Sequence, residues 1–513
     1  MTGGTGASAV QNRMRTDPNL PKAPTEPQAD ARYGWLWAVL PAGCERVRAL
    51  GDAGLVAAVR AAGMDGVRGT RSGHEATVLA RGGPPSVREL DSVISGRGPR
   101  ETVVVALNPY AGEHAERPTV LGRLRSALAS GPRALDTRLM ALRVARRLRH
   151  AGLATSSLSV GESERGQLLG RRGGLLRRRA LPMGAIVTGR PRAGDRFTVG
   201  EALARAEAAA GRPLERGSAE VLSTGTVMVE MAAAPSERYL LRVAAGPAAW
   251  LLERSAANIA TLGSAGAPAV VRERLVAPVA QGRVGAVLWT LEPKVPGANP
   301  TALDAPLWED CLEFLLGLQE LGEGTRPAAV EASSGRGPAG QSHEADVEAV
   351  EPHLSTGERR ALVGLAGALV GRLAAVPRGW AHGDFSPGNL VVDEGRLRRV
   401  LDWDSAAPEA LPVLDLMHLI ALSSRRTRSL PHGARVTQVL WPMARAGGDE
   451  PTRRWCAATG VPRDAAMLQS LVFAYWLARV ARDLRTYADR PSRRTWMEAN
   501  VHRPLRELEL ARR

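Results

Sequence analysis

Lysine is nearly missing from this 513-residue chain: Lys22 and Lys294 stand alone among 68 basic residues, and the rest are arginine. With 55 glycines beside them, these arginines read as the codon habit of a GC-rich genome. The formal charge of +16 is then no argument by itself for an anionic partner. Cysteine is scarce too. Cys44, Cys311 and Cys456 are odd in number and far apart, which excludes a disulfide framework and a cysteine-type zinc site and fits a reducing compartment. Aromatic residues make up 4%, and no nucleic-acid module with interleaved aromatics is apparent.

Long apolar runs are absent as well. The longest, ALVGLAGALVG from Ala361, meets Arg372 well short of the roughly 20 residues a membrane span needs. The first thirty residues are polar, with prolines at 18, 21, 24 and 27, and lack the apolar core of a signal peptide. A cytoplasmic protein with no membrane span is expected. Neither lysine precedes Ser or Thr, so there is no P-loop, and neither G-x-S-x-G nor H-E-x-x-H occurs.

What is present is enough for two or more domains, since one domain usually takes roughly 100–200 residues. Residues 1–32 read as a disordered tail. Residues 33–198 alternate apolar runs (TVVVAL from Thr102, GAIVTG from Gly184) with helical patterns, the rhythm of an α/β domain. Within them, fifteen arginines face four acids between Arg133 and Arg196, a solvated face first and a phosphate-attracting field second.

A second block, residues 216–297, opens with strand-like AEVLST, TVMVEMA and RYLLRVA. A helical stretch AAWLLERSAANIATLGSAG follows, and then strand-like APAVVRERLVAPV and VGAVLWTLEPKVPG. From 298 to 513 helices dominate, one of them opening with Ser355 and Glu358 at capping-box spacing. A low-complexity linker lies near 324–345, and its formal G-x-G-x-x-G (Gly335, Gly337, Gly340) lacks the strand and helix that a nucleotide turn needs.

The chemistry concentrates in WAHGDFSPGNLVVDEGRLRRVLDWDSA, Trp380 to Ala406. Its pattern is helix, short loop, strand, a turn at Glu394-Gly395, and strand, so loop groups and a strand-end acid can converge. Phosphoryl transfer requires such a convergence: a carboxylate that orients and deprotonates the attacking hydroxyl, and oxygen ligands that hold Mg²⁺ against nucleotide phosphates. Asp384 suits the first role, and Asn389 and Asp402 the second.

H-G-D-x-x-x-x-N followed by an apolar strand and D-W-D resembles the catalytic core of the aminoglycoside phosphotransferase and choline kinase group, relatives of the protein kinases. The resemblance covers about Arg216 to Arg513. It implies an α+β protein kinase-like bilobal domain, with a β-rich small lobe over 216–297 and a helical large lobe over 298–513. ATP and Mg²⁺ are the implied cofactors, and a small hydroxylated molecule the implied acceptor. Carried over residue by residue, Asp384 is the catalytic base and Asn389 and Asp402 bind metal. His382 braces the loop, and Asp415 in LPVLDLMHL stands where the family often has a structural acid.

The small lobe departs from the family pattern. LSTGTVM offers Gly225 and Thr226 in place of a glycine-rich turn, and Arg242 stands where a lysine is expected, a planar fork instead of a point charge. The usual helix Glu position falls near Ala257 or Asn258; Glu253, one turn earlier, is the acid left to pair with Arg242 as a phosphate anchor. Backbone groups near Trp289 to Leu291 are expected to meet the adenine.

Residues 33–198 loosely resemble a class I methyltransferase domain, through CERVRALGDAGLVAAVRAAGMDGVRG. The glycine turn Gly51-Asp52-Ala53-Gly54 is thin, and no acid stands near Thr70 to Gly73 to hold a ribose; Glu75 comes late. A degenerate Rossmann-like domain is expected. Two other functions stay open: a kinase-like scaffold without turnover, and a bifunctional methyltransferase–kinase. Trp380 to Arg513 carries 21 arginines against 15 acids, which suits an anionic or neutral acceptor better than a polycation. The oligomeric state and the acceptor are not legible.

Overall fold

The structure is a computed structural model. It describes residues 226–512 apart from 265, 322–342 and 487–493, and, before these, residues 38, 40, 44, 46–51, 53–62, 64–67, 76–80, 87–95, 97, 101–107, 142–150, 153–161, 166–169, 182–190 and 198–221. The expected tail, Gly225, most of the expected linker with its G-x-G-x-x-G, and Thr70 to Gly73 lie outside the described residues.

The N-terminal block supplies β1 (Arg46–Gly51), β2 (Asp65–Val67), β3 (Ala76–Ala80), β4 (Thr102–Leu107), β5 (Ala154–Gly161), β6 (Gly166–Leu169) and β7 (Pro182–Arg190). Strands β2, β1, β3 and β4 lie side by side and parallel, which forces crossovers; the helix Ala53–Ala61 fills the one from β1 to β2 and the helix Val87–Ser95 the one from β3 to β4. The buried runs of β3 and β4 suit strands that helices cover. β7 joins β4 antiparallel, and β5 joins β7 antiparallel.

The next strands are all antiparallel to their neighbours, with burial alternating along β9: β8 (Glu215–Val221), β9 (Val227–Ala234), β10 (Glu237–Ala244), β11 (Ala280–Val284) and β12 (Val287–Pro293). Two residue pairs between β6 and β8 (Gly166 with Val221, Gln167 with Glu220) join both blocks into one twelve-stranded sheet, in the order β11-β12-β10-β9-β8-β6-β5-β7-β4-β3-β1-β2. The helix Thr198–Ala210 falls between the two expected blocks. Its Ala202, Leu203 and Ala206 join one buried cluster with Val47 and Leu55 on one side and Val229, Leu241 and Trp289 on the other.

One expected strand is a correction. APAVVRERLVAPV, from Ala267, is not extended: Ala269–Arg272 is a single helical turn behind Pro268. Val271 is fully buried, and Val270 lies so close to Gly317 that a Cβ there would come within 2.7 Å of it. Packing on the helix Ala305–Gln319 thus overrides the β preference of the valine pair.

The large lobe is built around the helix Ala465–Thr486, whose residues from Leu471 to Leu477 are all buried, as expected of a helix enclosed on every side. The helices Ala305–Gln319, Thr356–Leu373 and Val413–Leu422 share its core. Two short antiparallel pairs sit at the cleft: β13 (Gly379–Ala381) with β16 (Ala407–Ala410), and β14 (Leu390–Asp393) with β15 (Arg396–Val400). The turn at Glu394-Gly395 is the expected hairpin, with positive φ at both residues (51° and 74°).

The capping box also forms. Ser355 Oγ accepts from Glu358 N at 3.4 Å, and Glu358 Oε2 accepts from Ser355 N at 3.1 Å. Ser355→Ala should lower stability by about 1 kcal/mol, read as a shift of the urea midpoint at unchanged slope. No shift would mean that the helix start is held from elsewhere.

Candidate active site

The loop after β13 is held from beneath by one carboxylate. Asp415, buried at the start of the helix Val413–Leu422, accepts the backbone N–H groups of His382 (2.6 Å), Gly383 (2.9 Å) and Phe385 (3.4 Å). Burial raises its pKa, against these three donors and His382. His382 braces the loop from the other side: its Nδ1 accepts from Asp384 N at 3.3 Å and its Nε2 donates to Leu401 O at 2.9 Å. Its ring tilts against Trp403, and Phe385 stacks on Phe314.

This frame converges the expected residues. Asn389 Nδ2 donates to Asp384 O (2.9 Å) and Asp384 Oδ2 (3.3 Å), which leaves the Asn389 side-chain oxygen for another partner. Asn389 O accepts from Leu401 N at 2.8 Å, so Asp402 starts beside it. Asp402 has left-handed backbone (φ 68°, ψ 61°), a conformation that Asp tolerates better than most residues, and its side chain is 47% exposed. Among the described residues no group of three His, Cys, Asp or Glu could hold a metal. An amide oxygen and a carboxylate do suit a hard cation that takes few protein ligands and completes its shell with phosphate and water.

Arg242 on β10 does not pair with Glu253. Its Nη1 lies 3.3 Å from Asp402 Oδ1 and its Nε 3.4 Å from Glu292 Oε2, whereas Glu253 pairs with Arg283 at the surface. The reason is direction: Glu253 is exposed, while Arg242 reaches along the cleft toward the 401–406 turn. Asn258, at the expected helix Glu position, is buried, and its Nδ2 donates to Trp403 O (2.8 Å) and Ala406 O (3.1 Å). Thr226 is buried at the edge of β9.

Trp289 and Leu291 are a second correction. Both lie within β12, which has β10 on one side and β11 on the other, and Leu291 O accepts from Val279 N at 2.7 Å. Interior-strand backbone groups are spent on the ladder. The segment linking the lobes comes later: Ala298 bridges Val392 in both directions (3.0 and 2.9 Å), and Asn299 Nδ2 donates to Gly388 O (2.9 Å) and Leu390 O (2.7 Å).

Sequence reasoning missed the groups around the Asp384 carboxylate. Arg479 Nη1 lies 2.7 Å from Oδ1, His418 Nε2 3.2 Å and Arg482 Nη1 3.7 Å. Burial works to raise the Asp384 pKa, yet the His418 hydrogen bond and the two guanidinium charges hold it well below the usual range. His418, in turn, accepts from the Tyr475 hydroxyl at 2.8 Å. Two signals were available: His418 in the apolar VLDLMHLIAL, and Arg479 and Arg482 one turn apart after the apolar run of their helix.

His418 also generates a pH prediction. Burial, then the Arg479 charge, lowers its pKa from 6.5 to about 4. The unfolded ring takes up a proton below about 6.5 and the folded ring does not, so this residue's part of the stability falls as pH drops from 6.5 to 4. His418→Gln should flatten the slope of urea stability against pH in that window relative to wild type; parallel slopes would contradict a buried neutral histidine.

The chain is similar to known proteins over part of its length. Residues 226–454 match the family described as "Phosphotransferase enzyme family". The match leaves residues 33–198 outside, and the Rossmann-like expectation for them gains no support from it. No curated protein matches the chain. Among solved structures, the chain is similar to macrolide 2'-phosphotransferase MphH from Brachybacterium faecium, at 16% identity over 59% of this chain and 99% of that one, with a TM-score of 0.40. A thermostable mutant of aminoglycoside phosphotransferase APH(4)-Ia gives 13% identity over 60% and 98%, TM-score 0.38. Aminoglycoside phosphotransferase APH(3'')-Id from Streptomyces rimosus gives 16% over 53% and 95%, TM-score 0.33. The family match spans residues 226–454, less than half of this chain.

Proposed function

We propose that the chain is an ATP- and Mg²⁺-dependent kinase that transfers the γ-phosphoryl group to a hydroxyl of a small molecule. The observation that supports it most is the joined set Asp384, Asn389 and Asp402: Asn389 bonds to Asp384 through its side chain and to Leu401 through its carbonyl. Asp384 orients the acceptor hydroxyl. Held well below the usual carboxylate range, it is a weak base and takes the proton late, which fits a loose transition state with little charge on the attacking oxygen.

The Asn389 amide oxygen and the Asp402 carboxylate would hold Mg²⁺, whose charge would neutralise the nucleotide phosphates. Arg242, facing Asp402, anchors phosphate in place of the family's lysine, with Gly225 and Thr226 as further contacts. Glu253, turned to the surface against Arg283, is withdrawn from that anchor. Adenine meets the segment 295–297, between Lys294, whose N–H still donates to Arg238 O, and Ala298, which is bridged to Val392.

A scaffold without turnover is less favoured, since the set that the chemistry needs is complete. For residues 33–198 we keep the degenerate Rossmann-like reading, supported by the parallel run β2-β1-β3-β4 with its crossover helices. Among the described residues no helix is long and apolar enough to cross a membrane, and a cytoplasmic location is part of the same proposal.

Asp384→Asn keeps the size and most hydrogen bonds of the side chain while removing its charge. It should lower ATP turnover by about a hundredfold or more, the scale of one positioned acid–base group, with Mg²⁺-dependent nucleotide affinity retained. Turnover within a few fold of wild type would remove Asp384 from the chemistry.

A further inference from the structure

We infer that the acceptor carries a phosphate monoester group, held between Arg254 of the small lobe and Arg482 of the large lobe. The inference rests on the phosphotransferase reading and names the substrate class for that site. It starts from a seam. Gly383, with φ at 78°, lies so close to the 403–406 turn that a Cβ would stand 2.4 Å from Ser405 O. Guanidinium groups stand on both sides of this seam: Arg482 Nη1 donates to Gly383 O at 2.8 Å, with Arg479 Nη1 at 3.3 Å, and Arg254 Nη2 donates to Ala406 O at 2.9 Å.

These contacts engage one Nη of each arginine, out of five N–H donors per fork. Arg482 keeps 30% of its side chain exposed and stands 3.7 Å from Asp384 Oδ1, at the carboxylate assigned to the acceptor hydroxyl. Arg254 is half-buried, and its guanidinium lies 5.3 Å from the ring centroid of Trp250, a partly exposed indole that fixes its plane. The two charges sense each other: after burial and against Asp404, Arg482 helps to lower the Arg254 pKa.

The acids nearby are already committed. Asp384 is paired with Arg479 at 2.7 Å, and Asp402 faces Arg242 at 3.3 Å. Asp404 accepts from the Ser405 hydroxyl at 2.9 Å. Three guanidinium groups (Arg254, Arg479, Arg482) meet at this corner, with Asp384 and Asp483 acting on Arg479 and Asp404 on Arg254. A phosphate dianion offers three oxygens to two forks from opposite lobes, where a carboxylate fills one fork. Binding it would also draw the lobes together over the transferring group.

The test is calorimetric titration of the full chain, loaded with AMP-PNP and Mg²⁺ so that the nucleotide's own phosphate positions are filled, with inorganic phosphate and separately with acetate. Phosphate should bind the wild type and the surface control Arg426→Gln alike. It should bind about tenfold more weakly to Arg482→Gln and to Arg254→Gln, the scale of one lost charge-assisted contact, with Arg482→Lys in between. No phosphate binding to the wild type, or equal binding by all variants, overturns the inference. Acetate binding as tightly as phosphate overturns the phosphate assignment in favour of a carboxylate. If AMP-PNP fails to bind, the phosphotransferase reading is what has failed; the same comparison of variants without nucleotide still decides whether the two arginines form an anion site. Because Arg254 and Arg482 sit on different helices, loss of fold in one variant leaves the other to decide.

Discussion

Three backbone N–H groups pointing at one buried carboxylate set the geometry on which the catalytic cleft depends. A turn as tight as 382–385 exposes successive donors on its inner side, and inside a lobe those donors need an acceptor. Asp415 supplies it, from a helix start where the dipole also favours a negative charge. An apolar residue at 415 would leave three buried donors without partners, each costing on the order of 1–3 kcal/mol. From this anchor the rest follows in order: the loop presents Asp384 upward, Asn389 closes on Asp384, and the Asn389 carbonyl takes the Leu401 amide and fixes where Asp402 begins.

The same economy holds the two lobes to each other. Trp403 and Ala406 lie in a turn whose carbonyls the small-lobe helix reaches: Asn258 donates to both, and Arg254 donates to Ala406. On the opposite edge, the segment after β12 docks on β14 through Ala298 and Asn299. In the usual kinase arrangement an ion pair between strand and helix reports the position of that helix. Here the report runs through amide and guanidinium bonds to backbone carbonyls, and Arg242 is freed to face Asp402.

Residues close in sequence made much of the site legible in advance. His382, Asp384, Asn389 and Asp402 span about two dozen positions, and a loop and one hairpin bring them together, so their spacing carries their geometry. The antiparallel small lobe was readable for a similar reason, since alternating apolar residues mark half-buried strands. What stayed hidden depends on distant packing. Arg479 and Arg482 are some 95 residues from Asp384, and their helical spacing says where they point on the helix without saying what faces them. Glu253 pairs with Arg242 in the sequence reading because it is the only acid on that helix, whereas Arg283, on a strand, is its partner in space. Trp289 and Leu291 were placed at the adenine because the end of β12 had been set too early. Val270-Val271 read as strand because propensity was weighed without the helix they pack on.

The central claim is that Asp402 and Asn389 make nucleotide binding depend on a divalent cation. Calorimetry with AMP-PNP, with and without Mg²⁺, on the wild type and on Asp402→Ala tests it most directly. The account predicts binding that requires Mg²⁺ in the wild type and is lost in the variant. Equal nucleotide affinity in both proteins, or no dependence on Mg²⁺, would contradict it.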